Sequence, residues 1–365
     1  MMQRAIPYMQ LRGGSSKGVY FKASDLPAGE TLRNRVVLAA MEGVGSGDPR
    51  QIDGLGGADS LTSKVAIVSL SQREDADLDY LFLQVVVGGG YVSTAQNCGN
   101  ILAGVLPFAI ESGLWAAQDG KTSAMIHMVN SGGLCEMTVQ TPNGRLQYAG
   151  NAKVDGVPGT AAPIVCNYLD IAGSATGALL PTGNVVDVVE GGAITAVDNG
   201  MPVVIIRAAD LGVTGYESKA ELEANDRLKA QVEAIRLAIG PKMNLGDVTQ
   251  KTIPKMCLIA PPVSGGFVTT RTFIPHVVHA AIGVLTAVSI ATGCLLPGSV
   301  ANDTVHTPAD GNPLLSIEHP SGEFSVTLDF MRCGDGYEIR KSGAVRTARL
   351  ISKGEVYIPA GIWET

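Results

Sequence analysis

Several signatures of familiar chemistry are missing from this sequence. None of its six cysteines (98, 135, 166, 257, 294 and 333) is spaced as CxxC, which excludes a zinc ribbon and a thioredoxin-type redox pair. The five histidines form no HExxH, so there is no metal signature. A GxxxxGKS/T phosphate loop is absent. Lysine and arginine number 27 against 34 acidic residues, for a net charge of -7. No basic cluster stands out, so nucleic acid is not an expected partner. A local site can still oppose the global charge and take an anionic small molecule. The opening segment MMQRAIPYMQ lacks the apolar run of an export signal, so the expectation is a cytoplasmic chain with reduced thiols. Two stretches, near 98–110 and 279–296, are apolar for long but interrupted by small residues. They read as buried helices and not as membrane spans.

Aromatic residues make up only 5% of the chain, while glycine reaches 45 residues and apolar residues 45%. That mix suits many Val/Ile/Leu strands joined by tight turns. A length of 365 residues favours two domains. Strands are expected in IPYMQLRGGSSKGVYF, SKVAIVSLS, LDYLFLQVVV, SAMIHMVN, LCEMTVQT, about 185–206, KMCLIAPP, GGFVTTRTFI, FSVTLDFM, AVRTARLIS and GEVYIPA. A helix fits Glu30–Glu42 on its stripe of Leu32, Val36, Val37 and Ala40. A surface helix follows Ser218, with Glu221 at the capping-box position and Gly240-Pro241 as its stop. One all-round apolar helix is expected from Cys98 to Ile110, kinked by Pro107, and a second from His279. A helix apolar on every face must be surrounded. Each half of the chain therefore reads as a curved sheet around one buried helix, an α+β architecture, with the boundary at Leu179–Asn184. The expected domains are 1–184 and 185–365, with the last strand able to pack on the first.

Cys98 sits in the stretch QNCGNILAG. A free cysteine is most often an inert core thiol. Here polar neighbours and a helix start favour a thiolate instead, with Asn97 as cap and Gly99 open to a ligand. The other five cysteines lack such a setting. Lys64 stands where a Gly-rich loop, GGADSLTS, enters an apolar strand. It is either an edge lysine with its head in water or a desolvated acid/base group. The RGGSSKG turn offers hydroxyls and cations to a carboxylate, or is a plain hairpin tip. In TTRTFIPHVVHAAIG, Arg271, His276, His279 and the backbone N–H groups of Ala280 to Gly283 suit an anion. The turns at Lys242–Asp247 and around His319 have no assignable role.

Taken in order, RGGSSKGVYF, RQIDGLGGADSLTSKVAIV, QNCGNILAG, LLPTGN, DNGMPVV, PKMNLGDV, RTFIPHVVHAAIGV, HPSGEF and VRTARL resemble the PrpF-type isomerase family, which has the diaminopimelate-epimerase fold. GADSLTSKVAI and the DNGMPVV to DLGVTGYE block are most similar to the 4-oxalomesaconate tautomerases of bacterial protocatechuate and gallate degradation. The resemblance implies two similar domains, an active site in the cleft between them, no metal and no organic cofactor, and a homodimer. It places Cys98 and Lys64 as the acid/base pair. Ser15, Ser16, Asn97, Gly99, Asn100, Arg271, His279, Ala280 and Ala281 fall on substrate-binding positions. The expected substrate is an unsaturated tricarboxylate. Aconitate, 2-methylaconitate and methylitaconate isomerases stay open as alternatives, as does a non-catalytic accessory protein. Epimerases of this fold face two cysteines; here the second helix opens on His279-Ala280-Ala281, so a symmetrical two-thiol racemase is disfavoured.

Overall fold

Alternating apolar residues and short glycine turns make strand the main regular structure of the described residues. The structure, a computed structural model, describes residues 2–43, 47–94, 97–274, 277–306, 314–333 and 336–363. The chain divides into two compact units, Met1–Asn167 with Val345–Thr365, and Tyr168–Ala344. The division falls at Asn167, ahead of the Leu179–Asn184 boundary expected from the repeat, and the return to unit 1 begins at Val345.

Unit 1 is built from β1 (Gln3–Gly13), β2 (Ser16–Lys22), α1 (Glu30–Glu42), β3 (Lys64–Leu70), β4 (Leu78–Val86), β5 (Tyr91–Ser93), α2 (Gly99–Leu102), α3 (Val105–Glu111), β6 (Gly120–Met128) and β7 (Gly133–Thr141). Strand β8 (Ile164–Leu169) leads into unit 2. β1 and β2 form an antiparallel hairpin, β2 runs parallel to β3, and β3 antiparallel to β4. Val19, Phe21, Val65, Ile67, Leu83 and Val85 line one face and pack with Val36, Val37, Ala40 and Met41 of α1. The opposite face, one residue out of phase, receives α2 and α3, whose apolar side chains are buried.

The single helix expected over 98–110 is two. Pro107 is the reason. Its ring would clash with the carbonyl four residues back, at Ala103, so the helix breaks there and restarts at Val105. Pro107 then occupies the first turn of α3, where its missing N–H has no helical partner to lose.

Unit 2 repeats the plan. It contains β9 (Asp187–Val189), β10 (Gly192–Asp198), β11 (Pro202–Arg207), α4 (Lys219–Glu223), α5 (Asp226–Ile239), β12 (Lys255–Ala260), β13 (Val268–Ile274), β14 (Val277–Val278), α6 (Val284–Leu295), β15 (Leu314–His319), β16 (Gly322–Cys333) and β17 (Gly336–Arg346). β10 and β11 are antiparallel, β11 and β12 parallel, and β12 and β13 antiparallel, the pattern of unit 1 again. The amphipathic α5 covers one face through Leu228, Val232, Ile235 and Ile239. The buried α6 lies on the other, with Gly293 against Ile205 and Val197. After unit 2 the chain returns as β18 (Ala348–Pro359), antiparallel to β1 from Gln3↔Pro359 to Gly13↔Ala348. Each unit is thus the α+β sheet wrapped on an apolar helix that the sequence led us to expect. Among the described residues no helix is long and apolar enough to cross a membrane.

The surface helix after Ser218 is also divided. Ser218 and Glu221 form the full capping box of α4, and the Asn225 side chain caps α5. Arg236 of α5 is fully buried. It holds Glu233 with two contacts of 2.7 Å and donates to the Val248 carbonyl at 2.8 Å. Arg236→Met strands that carbonyl and should lower unfolding stability by about 1–3 kcal/mol, read as a shift of the denaturant midpoint by circular dichroism.

Candidate active site

The register of unit 1 places several candidate residues on one sheet face. Gly18, Lys64 and Gln84 are neighbours across β2, β3 and β4; so are Tyr20, Ala66 and Phe82. In-register neighbours point to the same side. Lys64 opens β3, is 7% exposed, and donates from Nζ to Gln84 Oε1 at 2.6 Å. Its ammonium also lies 5.3 Å from the Phe82 ring centre. Two residues further along β4, the Tyr80 hydroxyl donates to the Cys98 carbonyl at 3.1 Å. The Tyr20 hydroxyl donates to the Ile101 carbonyl at 2.6 Å. One sheet face therefore carries the lysine and, through two tyrosines, the turn that bears the thiol.

Cys98 is half-buried, whereas Cys135, Cys166, Cys257 and Cys294 are buried. Burial pushes the Cys257 thiol up to about 12 and raises those of Cys135 and Cys294 as well, so these remain protonated and inert. Burial first, and the proximity of Cys98 second, raise the Tyr20 phenol well above its ordinary value, which keeps it a neutral donor.

Cys98 is itself the N-cap of α2, by backbone only; its carbonyl accepts from Leu102 N at 2.9 Å. Asn97 is therefore not the cap that the sequence suggested. Its Nδ2 donates instead to Ser131 Oγ at 2.5 Å, and its buried Oδ1 has no partner among the described residues. With four residues, α2 adds little macrodipole; what it offers are the unpaired N–H groups of its first turn, at Gly99 and Asn100. Gln96 lies outside the described residues.

The RGGSSKG turn packs directly on this cap. Gly14 takes the first central position of a two-residue hairpin at φ 48°, where glycine is unstrained. A Cβ on Gly13 would stand 2.2 Å from the Asn100 carbonyl oxygen. Arg12 staples the tip, donating to Gly14 O at 2.7 Å and to Thr347 O and Oγ1 at 3.1 and 3.0 Å, so it is not a free cation. Asn100 Nδ2 donates to Ser15 Oγ at 3.2 Å. Ser16 is 1% exposed and its hydroxyl has no partner among the described residues, an unused hydrogen-bonding group beside the thiol turn.

In unit 2, Arg271 is buried on β13 and donates to the carbonyls of Glu217 at 2.6 Å and Thr270 at 2.9 Å. His279 Nδ1 accepts the Ala281 N–H at 2.8 Å, which puts the neutral ring's proton on Nε2. That bond also occupies one of the backbone donors expected for an anion. The helix begins later than expected, with Gly283 as N-cap, so Ala280 and Ala281 precede it. Burial, then Lys255 and Lys219, lower the His279 value, which leaves the ring neutral near pH 7. His276 lies outside the described residues. The Lys242–Asp247 segment is a structural turn, with Asn244 at φ 60° bonded to the Thr176 carbonyl. His319 ends β15, with Ser321 on its Nδ1.

Residues 3–359 match the PrpF protein family. The chain belongs to the PrpF family. It is 55% identical over 363 residues to a 4-oxalomesaconate tautomerase of Pseudomonas putida, covering 100% of this chain and 99% of that one. A (4E)-oxalomesaconate Delta-isomerase of a Novosphingobium species is 56% identical over 96% of this chain and 97% of its own. The crystal structure of a methylitaconate-delta-isomerase superposes with a TM-score of 0.90 at 34% identity, covering 99% of this chain and 97% of that one.

In this PrpF-family chain, Tyr20, Tyr80, Phe82 and Gln84 were not singled out from sequence. A signal was there: in LDYLFLQVV the inward positions run Leu78, Tyr80, Phe82, Gln84, and the last is a polar residue on an apolar stripe. Gly13→Ala should displace the Asn100 carbonyl, lower stability by roughly 1–3 kcal/mol and depress turnover; denaturant melts and rate assays on one preparation check both. Proton NMR of His279 should give a titration midpoint below the ordinary imidazole value of about 6.5.

Proposed function

We propose that the protein is a cofactor-independent isomerase of an unsaturated tricarboxylic acid, namely a 4-oxalomesaconate tautomerase of aromatic catabolism. The observation that carries the substrate is that two relatives sharing more than half their residues with it are named for oxalomesaconate. We propose Cys98 and Lys64 as the acid/base pair, because one sheet face supports both. We extend the proposal to a homodimer in the cytoplasm, on the family resemblance.

The reaction is a 1,3-allylic proton transfer. Cys98 thiolate takes a proton from the carbon next to the double bond. The electron pair spreads through the conjugated system as a dienolate. Lys64 ammonium gives a proton to the far carbon of the allylic unit, and the double bond moves. Cys98 is left as thiol and Lys64 as amine; exchange with water resets both. Because the two groups differ, the proton enters and leaves at different carbons. Such a carbon acid is weak, so donors aimed at the enolate matter most. The N–H groups of the Cys98 turn, the Ser16 hydroxyl and the Asn100 amide supply them in unit 1. Within unit 2, Arg271 and His279 Nε2–H are the proposed donors to a carboxylate. General acid/base action of this kind contributes typically 10²–10⁴-fold.

Proton NMR of 4-oxalomesaconate, aconitate, 2-methylaconitate and methylitaconate in heavy water tests the proposal. Isomerisation should be fastest with 4-oxalomesaconate. Cys98→Ala and Lys64→Met should each lose at least about 10²-fold in turnover with unchanged circular dichroism, and each should lose deuterium exchange at a different carbon. A Cys98→Ala protein that turns over normally would refute the mechanism; preference for another acid would refute the substrate.

A further inference from the structure

We propose that Gln84 is a positioning residue for Lys64: a neutral, pre-oriented amide that holds the amine in place in both of its protonation states. This rests on the reading of Lys64 as an acid/base group. Gln84 Nε2 lies within hydrogen-bonding distance of three backbone carbonyls, Ser60 at 3.2 Å, Ser63 at 3.0 Å and Val85 at 3.1 Å. Only the NH₂ end of an amide can face carbonyl oxygens, so the orientation is fixed and Oε1 must point away from them. That oxygen meets Lys64 Nζ at 2.6 Å.

The carbonyls are themselves anchored. Ser63 is fully buried and its hydroxyl donates to Gln51 Oε1 at 2.6 Å; Ala58 N donates to the same oxygen at 2.9 Å. Gln51 Nε2 reaches Glu42 Oε1, at the end of α1, at 3.4 Å. A buried polar relay thus runs from α1 to the lysine.

The choice of a neutral partner has a chemical meaning. A carboxylate here would hold Lys64 as ammonium and resist loss of its proton. An amide oxygen accepts from ammonium more strongly than from amine but accepts from both, so the nitrogen keeps its place while the proton leaves. Among the described residues, the titratable groups near the lysine and the thiol turn include the Tyr20 and Tyr80 phenols, the Cys98 thiol and, acting on Tyr20 from β1, the Arg12 guanidinium. Asp79 of β4 points to the opposite face, toward His127.

The test is the pH dependence of isomerisation by full-length Gln84→Met and Gln84→Glu proteins, beside the native chain and Lys64→Met. Acylation of Lys64 against pH, followed by mass spectrometry, gives a second readout that needs no turnover. Gln84→Met removes the acceptor that favours ammonium, so the limb owned by Lys64 should move to lower pH. Its kcat should fall about 10- to 100-fold with KM nearly unchanged. Gln84→Glu supplies a charge, so the same limb should move to higher pH, by about 1 unit or more. Opposite shifts distinguish positioning from mere stability, which thermal melts monitor. Superimposable pH profiles beside an inactive Lys64→Met would overturn the positioning role alone. A fully active Lys64→Met would overturn the reading of Lys64 and this proposal with it.

Discussion

A cation can be held in an apolar strand only if something accepts its protons, and the bond from Lys64 to Gln84 answers that need. Much of unit 1 near the site serves it. Cross-strand register puts Gln84 beside Lys64, and the Phe82 ring lies under the ammonium. The loop between α1 and β3 supplies the carbonyls that orient the amide. The same strand face, one step on, fixes the thiol turn through Tyr80. The proposed acid and base are thereby tied to one rigid wall instead of to separate loops, the arrangement that precise proton transfer demands.

Asn130 reinforces that wall. Its side chain mimics a neighbouring strand, accepting from Phe82 N at 2.8 Å and donating to Phe82 O at 2.9 Å and Thr94 O at 2.8 Å. It ties β4 to the segment that leads toward Cys98. Small residues complete the fit. Gly13 and Gly18 leave room on β1 and β2 for α2 to approach the sheet, which places the first-turn N–H groups of Gly99 and Asn100 close to the Ser15–Ser16 tip.

Strand alternation, the Glu30–Glu42 helix, the Ser218 capping box and the two buried helices were all legible in the sequence, because each rests on local periodicity or a fixed offset. The repeat of sheet and apolar helix followed from the need to surround such a helix. The helix break at Ala103 was half legible: Pro107 announced a disturbance without saying where it would fall. The Asn97 cap was misread because a cap side chain and a side chain tied to a distant turn look alike in sequence. The contact boundary at Asn167 was not legible either, since it falls inside a strand, where composition does not change. Gln84 went unseen because its partner is twenty residues away, joined by strand register and not by spacing.

The central claim is that Lys64 and Cys98 serve one ligand. Its most direct measurement is a double footprint of one protein sample at neutral pH. A limiting alkylating agent marks Cys98, an acylating agent marks Lys64, and mass spectrometry follows both against increasing tricarboxylate. Both labels should be suppressed with the same concentration dependence, with the buried cysteines unlabelled throughout. Protection of one residue without the other would contradict the account.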